Sequence, residues 1–97
     1  MKYHITTTKR FDKAFLKCVS RGLDISKLRN AMSLLENEGK LPDTYHPLKL
    51  KGYKGKNVWE CHIEPNWLLV WEQRDDKFLL IMVSTGTHSD LFGKNRR

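Results

Sequence analysis

The chain has 97 residues, 39% hydrophobic and 30% charged, with 18 Lys and Arg against 11 Asp and Glu for a net charge of +7. That length supports one domain, residues 1–97, around a single modest core, and the composition is globular rather than disordered. No apolar run approaches the ~20 residues that span a bilayer, and Met1-Lys2-Tyr3-His4-Ile5 lacks a signal-peptide apolar region, so the expected setting is the cytoplasm.

Residues Tyr3 to Thr7 alternate with β-branched character and predict a first strand. Thr8 is placed to cap a helix, in which Phe11, Ala14, Phe15, Cys18 and Val19 recur at helical spacing as one apolar core stripe. Gly22 fits the left-handed stop that follows. Asp24 begins a second helix, where Ile25, Leu28, Ala31, Met32 and Leu35 repeat the pattern and Gly39 and Pro42 end it. The short connection from Arg21 to Asp24 predicts an antiparallel helix hairpin.

Leu41 to Asn57, rich in Pro, Gly, Lys and Tyr, is expected to be a loop. Three strand-like runs follow: Val58 to Ile63, Trp67 to Gln73, and Lys77 to Val83. Their links, Glu64-Pro65-Asn66 and Arg74-Asp75-Asp76, are short enough to predict an antiparallel meander. In the first run Trp59, Cys61 and Ile63 share one face, and Val58, Glu60 and His62 the other. The next two runs are apolar on both faces and need cover on both. The helices cover one side; the tail around Leu91-Phe92, or a bound partner, must cover the other. The fold class is α+β, in the order β-α-α-β-β-β, with an antiparallel sheet packed on a two-helix hairpin.

Cys18 and Cys61 lie far apart in apolar patterns and read as buried free thiols. No metal centre is expected. A zinc site shows paired ligands at short spacing, whereas Cys61 and His62 are adjacent on a strand and point to opposite faces. No Gly-rich phosphate loop follows a strand, which disfavours nucleotide-dependent enzymes.

The residues do suit metal-free RNA cleavage. Attack of a 2′-hydroxyl on its own phosphorus needs a base, an acid for the 5′-oxygen, and cations around the phosphate. His46, His62 and His88 are imidazoles in separate polar settings, and imidazole titrates near neutral pH. The competing reading of each is an ordinary surface or structural histidine. Lys49, Lys51, Lys54 and Lys56 fall within eight residues, a phosphate footprint or merely a solvated basic surface. Trp67, beside the turn, and Phe92, near the end, each have two readings: a stacking face for a base or a core aromatic.

Three motifs carry a family resemblance: His46-Pro47-Leu48; Trp59-Glu60-Cys61-His62-Ile63-Glu64-Pro65-Asn66-Trp67-Leu68-Leu69; and Thr85-Gly86-Thr87-His88-Ser89-Asp90-Leu91-Phe92. Together with the element order, they resemble the RelE superfamily of type II toxin–antitoxin toxins, and within it the YafQ branch. The resemblance covers essentially the whole chain. It implies a ribosome-dependent mRNA endonuclease without a cofactor, silenced by a cognate antitoxin that wraps it. The partners it implies are antitoxin, mRNA and ribosome, with no membrane; the chain would be a monomer when free and a hetero-oligomer with antitoxin.

By the same resemblance His46, His62 and His88 fall on the family's catalytic histidines and Asn66 on its catalytic aspartate. Phe92 falls on a functionally important aromatic, Trp67 adjoins the aspartate position to help place substrate, and Lys49, Lys51 and Lys56 are candidate substrate contacts. Two positions depart from the pattern: Asp is expected where Asn66 stands, and Arg where Ser84 stands. An amide cannot act as an anionic base, and losing an arginine removes a bidentate phosphate contact. The alternative to an active endonuclease is therefore an attenuated or inactive toxin-fold protein that binds antitoxin or ribosome only. Glu60 and Glu64 remain as nearby carboxylates.

Overall fold

Thr8 starts the first helix as its sequence suggests. Its hydroxyl accepts the Phe11 N–H at 3.0 Å, and its own O–H is shared between the Met82 and Val83 carbonyls. One side chain thus caps a helix and ties it to a strand more than seventy residues away. In the computed structural model, which describes residues 2–93, the order is β1 (His4–Thr7), α1 (Lys9–Ser20), α2 (Ile25–Glu38), β2 (Leu48–Lys49), β3 (Val58–Glu64), β4 (Trp67–Arg74), β5 (Leu79–Gly86) and α3 (His88–Phe92). Short 3-10 turns occupy Asp43–Tyr45 and Asp75–Lys77.

The sheet runs β1-β5-β4-β3-β2. The β3-β4-β5 meander is antiparallel as expected. Two features go beyond the expectation. β1 pairs with β5 in parallel, His4 opposite Leu79, the two helices and three antiparallel strands between them bringing the chain back in the same direction. The Lys-rich loop also contributes a strand: Leu48 and Lys49 pair antiparallel with Glu60 and Trp59 at the sheet edge. The last strand begins later than its apolar run, at Leu79 rather than Lys77, because Asp75–Lys77 turns and Phe78 takes a left-handed φ of 49°.

Both helices end and begin at the anticipated residues. Gly22 adopts φ 77° after α1, Asp24 accepts the Ser26 N–H at the start of α2, and Gly39 ends α2 at φ 71° with the Tyr3 ring closed against it. Phe11 and Cys18 of α1 and Leu28, Ala31 and Leu35 of α2 join Cys61, Trp67, Leu69, Trp71, Leu80 and Met82 in one core. Val19 is a correction to the predicted stripe: it is 47% exposed, because α1 buries only a narrow face against β5. Cys18 and Cys61 are free and buried, and burial pushes the Cys61 thiol up to about 12, so it stays neutral.

The tail covers part of the opposite sheet face. Leu68 is fully buried and Val70 6% exposed, with Leu91 and Phe92 of α3 lining the space over Val70. Gly86 makes that possible. It holds φ 144°, and a Cβ there would lie 2.7 Å from an Asp90 carboxylate oxygen, so only glycine lets α3 fold this tightly onto the strand end.

Candidate active site

Strand register builds the site. Leu48 lies opposite Glu60, so the same antiparallel register carried two residues back sets His46 against His62. His62 pairs with Leu68, and Leu68 with Gly86, two residues before His88. Three segments far apart in sequence thus deliver their histidines to one rim of the sheet. The His46 and His62 ring centroids are 5.9 Å apart at 86°, and those of His62 and His88 5.9 Å apart at 55°. Phe92 continues the row 6.4 Å beyond His88. His46 and His88 are exposed and His62 half-buried.

The chain at each histidine is fixed by local structure. The turn at Asp43–Tyr45 closes with the His46 N–H donating to the Asp43 carbonyl at 2.8 Å, which leaves His46 in a left-handed conformation at φ 50°. A bulge between His62 and Glu64 shifts the register just before the Pro65-Asn66 turn, and bulges of this kind re-aim neighbouring side chains. Lys27 of α2 pins that turn with an ion pair to Glu64 at 2.6 Å. His88 opens α3, whose start is fixed by a capping box: Thr87 accepts the Asp90 N–H and Asp90 accepts the Thr87 N–H.

Asp90 is also the anchor to α1. Arg21 donates to both of its oxygens, at 2.6 and 3.2 Å, and Lys17 lies 3.4 Å away. The Arg21 guanidinium, with help from Thr87, holds the Asp90 carboxyl well below the usual carboxylate range. A carboxylate whose pKa falls on folding adds stability that is present above its unfolded value, near ~3.9. That stability is lost as the pH falls toward the folded value. Arg21→Ala is therefore expected to melt at a lower temperature than the parent near neutral pH, with the gap closing below about pH 4; a gap that stays constant across a pH series of thermal melts would disprove the linkage.

The other candidates are distributed unevenly. Asn66 lies on the exposed turn between β3 and β4, four residues from His62 in sequence. Trp67 is 2% exposed and donates its indole N–H to Thr85 Oγ at 2.9 Å. It belongs to the core, which favours the core-aromatic reading of this residue over the stacking one. Lys49 sits on the edge strand opposite Trp59, three residues along β3 from His62, and Lys51 lies in the exposed turn farther from the histidines. Lys56 precedes β3 and lines a surface depression with Glu72, Asp75 and Asp76, at the end of the strand opposite His62. Glu60 lies two residues from His62 on the same strand face and is half-buried. Ser84 is 4% exposed at the floor of a cavity of about 340 Å³ beside Phe92. Among the described residues, no group of three or more His, Cys, Asp or Glu side chains is arranged to hold a metal ion.

The Arg21–Asp90 anchor was not anticipated, although Thr87-x-x-Asp90 is a legible helix-start signal. What the sequence could not supply was the arginine across the molecule.

This fold, a five-stranded sheet packed on a pair of helices, is the RelE-like toxin fold. An archaeal RelE solved in complex with RelB from Pyrococcus horikoshii superposes with a TM-score of 0.70 over 90% of this chain and 96% of that one, at 13% identity, a likeness of fold alone. The model of the bacterial toxin of type II toxin–antitoxin system, YafQ, matches residues 3–93, and the chain belongs to that family. An mRNA interferase toxin YafQ of Escherichia coli BL21-DE3 is 38% identical over 89 residues, 87% of this chain and 89% of that protein. The YafQ of the Escherichia coli DinJ–YafQ complex superposes with a TM-score of 0.83 at 34% identity, covering 94% of this chain and 99% of that one. A metal-bound toxin from Helicobacter pylori gives 0.83 at 36% identity, over 95% and 100%.

Proposed function

We propose that this protein is an mRNA endonuclease toxin that cuts RNA on the ribosome by metal-independent acid–base catalysis. The observation that carries the reading is the row of His46, His62 and His88 on one rim, with neighbouring ring centroids 5.9 Å apart. In the proposed step one of His62 and His88 takes the proton of a ribose 2′-hydroxyl as the new P–O2′ bond forms. The other gives a proton to the 5′-oxygen as P–O5′ breaks. His46, Lys49 and Lys51 contact phosphate, Asn66 positions the substrate, and Phe92 offers an aromatic face near the cut.

The products would be a 2′,3′-cyclic phosphate and a 5′-hydroxyl, and these distinguish the mechanism. Protein treated with a chelator and dialysed is added to translating ribosomes, and the mRNA ends are mapped. Fragments whose 5′ ends accept phosphate from a kinase without prior dephosphorylation are expected. Intact transcripts, 5′-phosphate ends, or activity recovered only on adding back metal would overturn the reading.

Asn66 and Ser84 favour a second possibility, that the chain is attenuated. Asn66→Asp restores an ionisable carboxylate to the turn and is expected to raise cleavage by about 10-fold or more, since positioned acid–base groups contribute ~10²–10⁴. Equal rates for the two chains would show that the amide suffices. No helix among the described residues is long and apolar enough to cross a membrane, and the proposed setting is the cytoplasm. The proposed antitoxin segment is acidic and partly apolar, matching the +7 charge and the exposed Leu16 and Val19 of α1, and it folds as it binds. Free of antitoxin the chain would be a monomer.

A further inference from the structure

The cavity of about 340 Å³ next to the histidine row has an apolar floor in Val70 and Val83, with Ser84 beside them. Its walls are aromatic: Phe92 from α3 and Tyr53, 45% exposed, from the Lys-rich loop. The strand beneath contributes no cation. One arrives instead from the first turn of α1, where Arg10 lines the same cavity and reaches to 3.5 Å from the Leu91 carbonyl. Its helix-mates Lys17 and Arg21 are both engaged by Asp90, whereas no described carboxylate lies within ion-pair distance of Arg10. A guanidinium on an aromatic-walled cleft and not neutralised by a carboxylate is suited to a phosphate oxygen pair.

We propose that Arg10 is a substrate-binding residue of this site: its guanidinium holds an RNA phosphate next to the scissile one, with the flanking nucleotide seated between Tyr53 and Phe92. This rests on the endonuclease reading above. It also identifies what occupies the electrostatic role left open at Ser84, a cation carried by a helix rather than by the sheet.

The test uses the full chain with a single-stranded RNA oligonucleotide, read by fluorescence anisotropy across a salt series, alongside cleavage on translating ribosomes. Arg10→Ala is expected to weaken RNA binding and to flatten the plot of log affinity against log salt by about 0.7, the slope of one single-strand phosphate contact. Arg10→Lys should keep the slope and lose part of the affinity. Arg10 is exposed and makes only a long bond to a carbonyl, so thermal melts should be unchanged. Ser84→Arg placed in the Arg10→Ala chain should recover binding, the cavity having room for the longer side chain. Unaltered affinity and slope in Arg10→Ala would overturn the proposal even if the parent cleaves mRNA. A parent that cuts no mRNA, with the slope still reduced in Arg10→Ala, would instead sink the endonuclease reading and leave the Arg10 contact standing.

Discussion

Replacing His88 with alanine is expected to slow mRNA cleavage by about 10²–10⁴-fold, the range for loss of a positioned acid or base. His62→Ala should do the same. His88 stands one ring from His62 and one from Phe92, so its loss empties the middle of the row. It is exposed at the start of a helix capped by Thr87 and Asp90, so the fold should survive the change. His4 supplies the control. It lies on β1 opposite Leu79, outside the cluster, and His4→Ala should cleave like the parent. Single-turnover rates on translating ribosomes, with melting curves for each variant, separate the outcomes. If His62→Ala and His88→Ala both cut at the parental rate, the imidazoles are not the proton carriers.

Trp67→Ala should fail differently. The side chain is 2% exposed, lies in the core, and bonds Thr85 through its indole N–H. Emptying such a site costs about 3–5 kcal/mol, and it also removes the donor to Thr85. In a domain this size each kcal/mol is worth ~4–8 °C of melting temperature, so the variant should be largely unfolded at growth temperature. Trp67→Phe keeps most of the volume and should be markedly less destabilised than Trp67→Ala. A Trp67→Ala chain that melts like the parent but loses RNA affinity would restore the tryptophan to the substrate side.

Trp67 also shows where sequence reading stops. In the structure it shares the helix-covered core with Leu69 and Trp71, as strand alternation requires. Family resemblance pulled the other way, because the tryptophan adjoins the Asn66 turn. Burial decides between them. Eight residues hold four lysines, but β2 pairs Lys49 with Trp59 and runs from there away from His62, so Lys56 stands at the far end of β3. Charge clustering along a sequence does not by itself gather the charges at one end of a strand.

The helices were legible because their signals are local. Thr8, Gly22, Asp24 and Gly39 act within a turn of their own position, through side-chain oxygens or a left-handed φ. The meander was legible because two short links leave antiparallel pairing as the ready solution. The two-residue β2 strand was not, since nothing in Leu48-Lys49 marks it before Glu60 and Trp59 are in place to pair with it.

By itself, then, the sequence determined α1, α2, β1 and the meander, most of their core faces, the buried thiols and the identity of the histidines, all consequences of spacing and local backbone preference. Tertiary structure alone decided that His46, His62 and His88 share a rim, that Arg21 anchors His88's helix through Asp90, and that Arg10 reaches the cavity at Ser84. Those are long-range contacts fixed by strand register, by bulges and by a glycine with no room for a Cβ. No local propensity encodes them; they exist only once the sheet has closed.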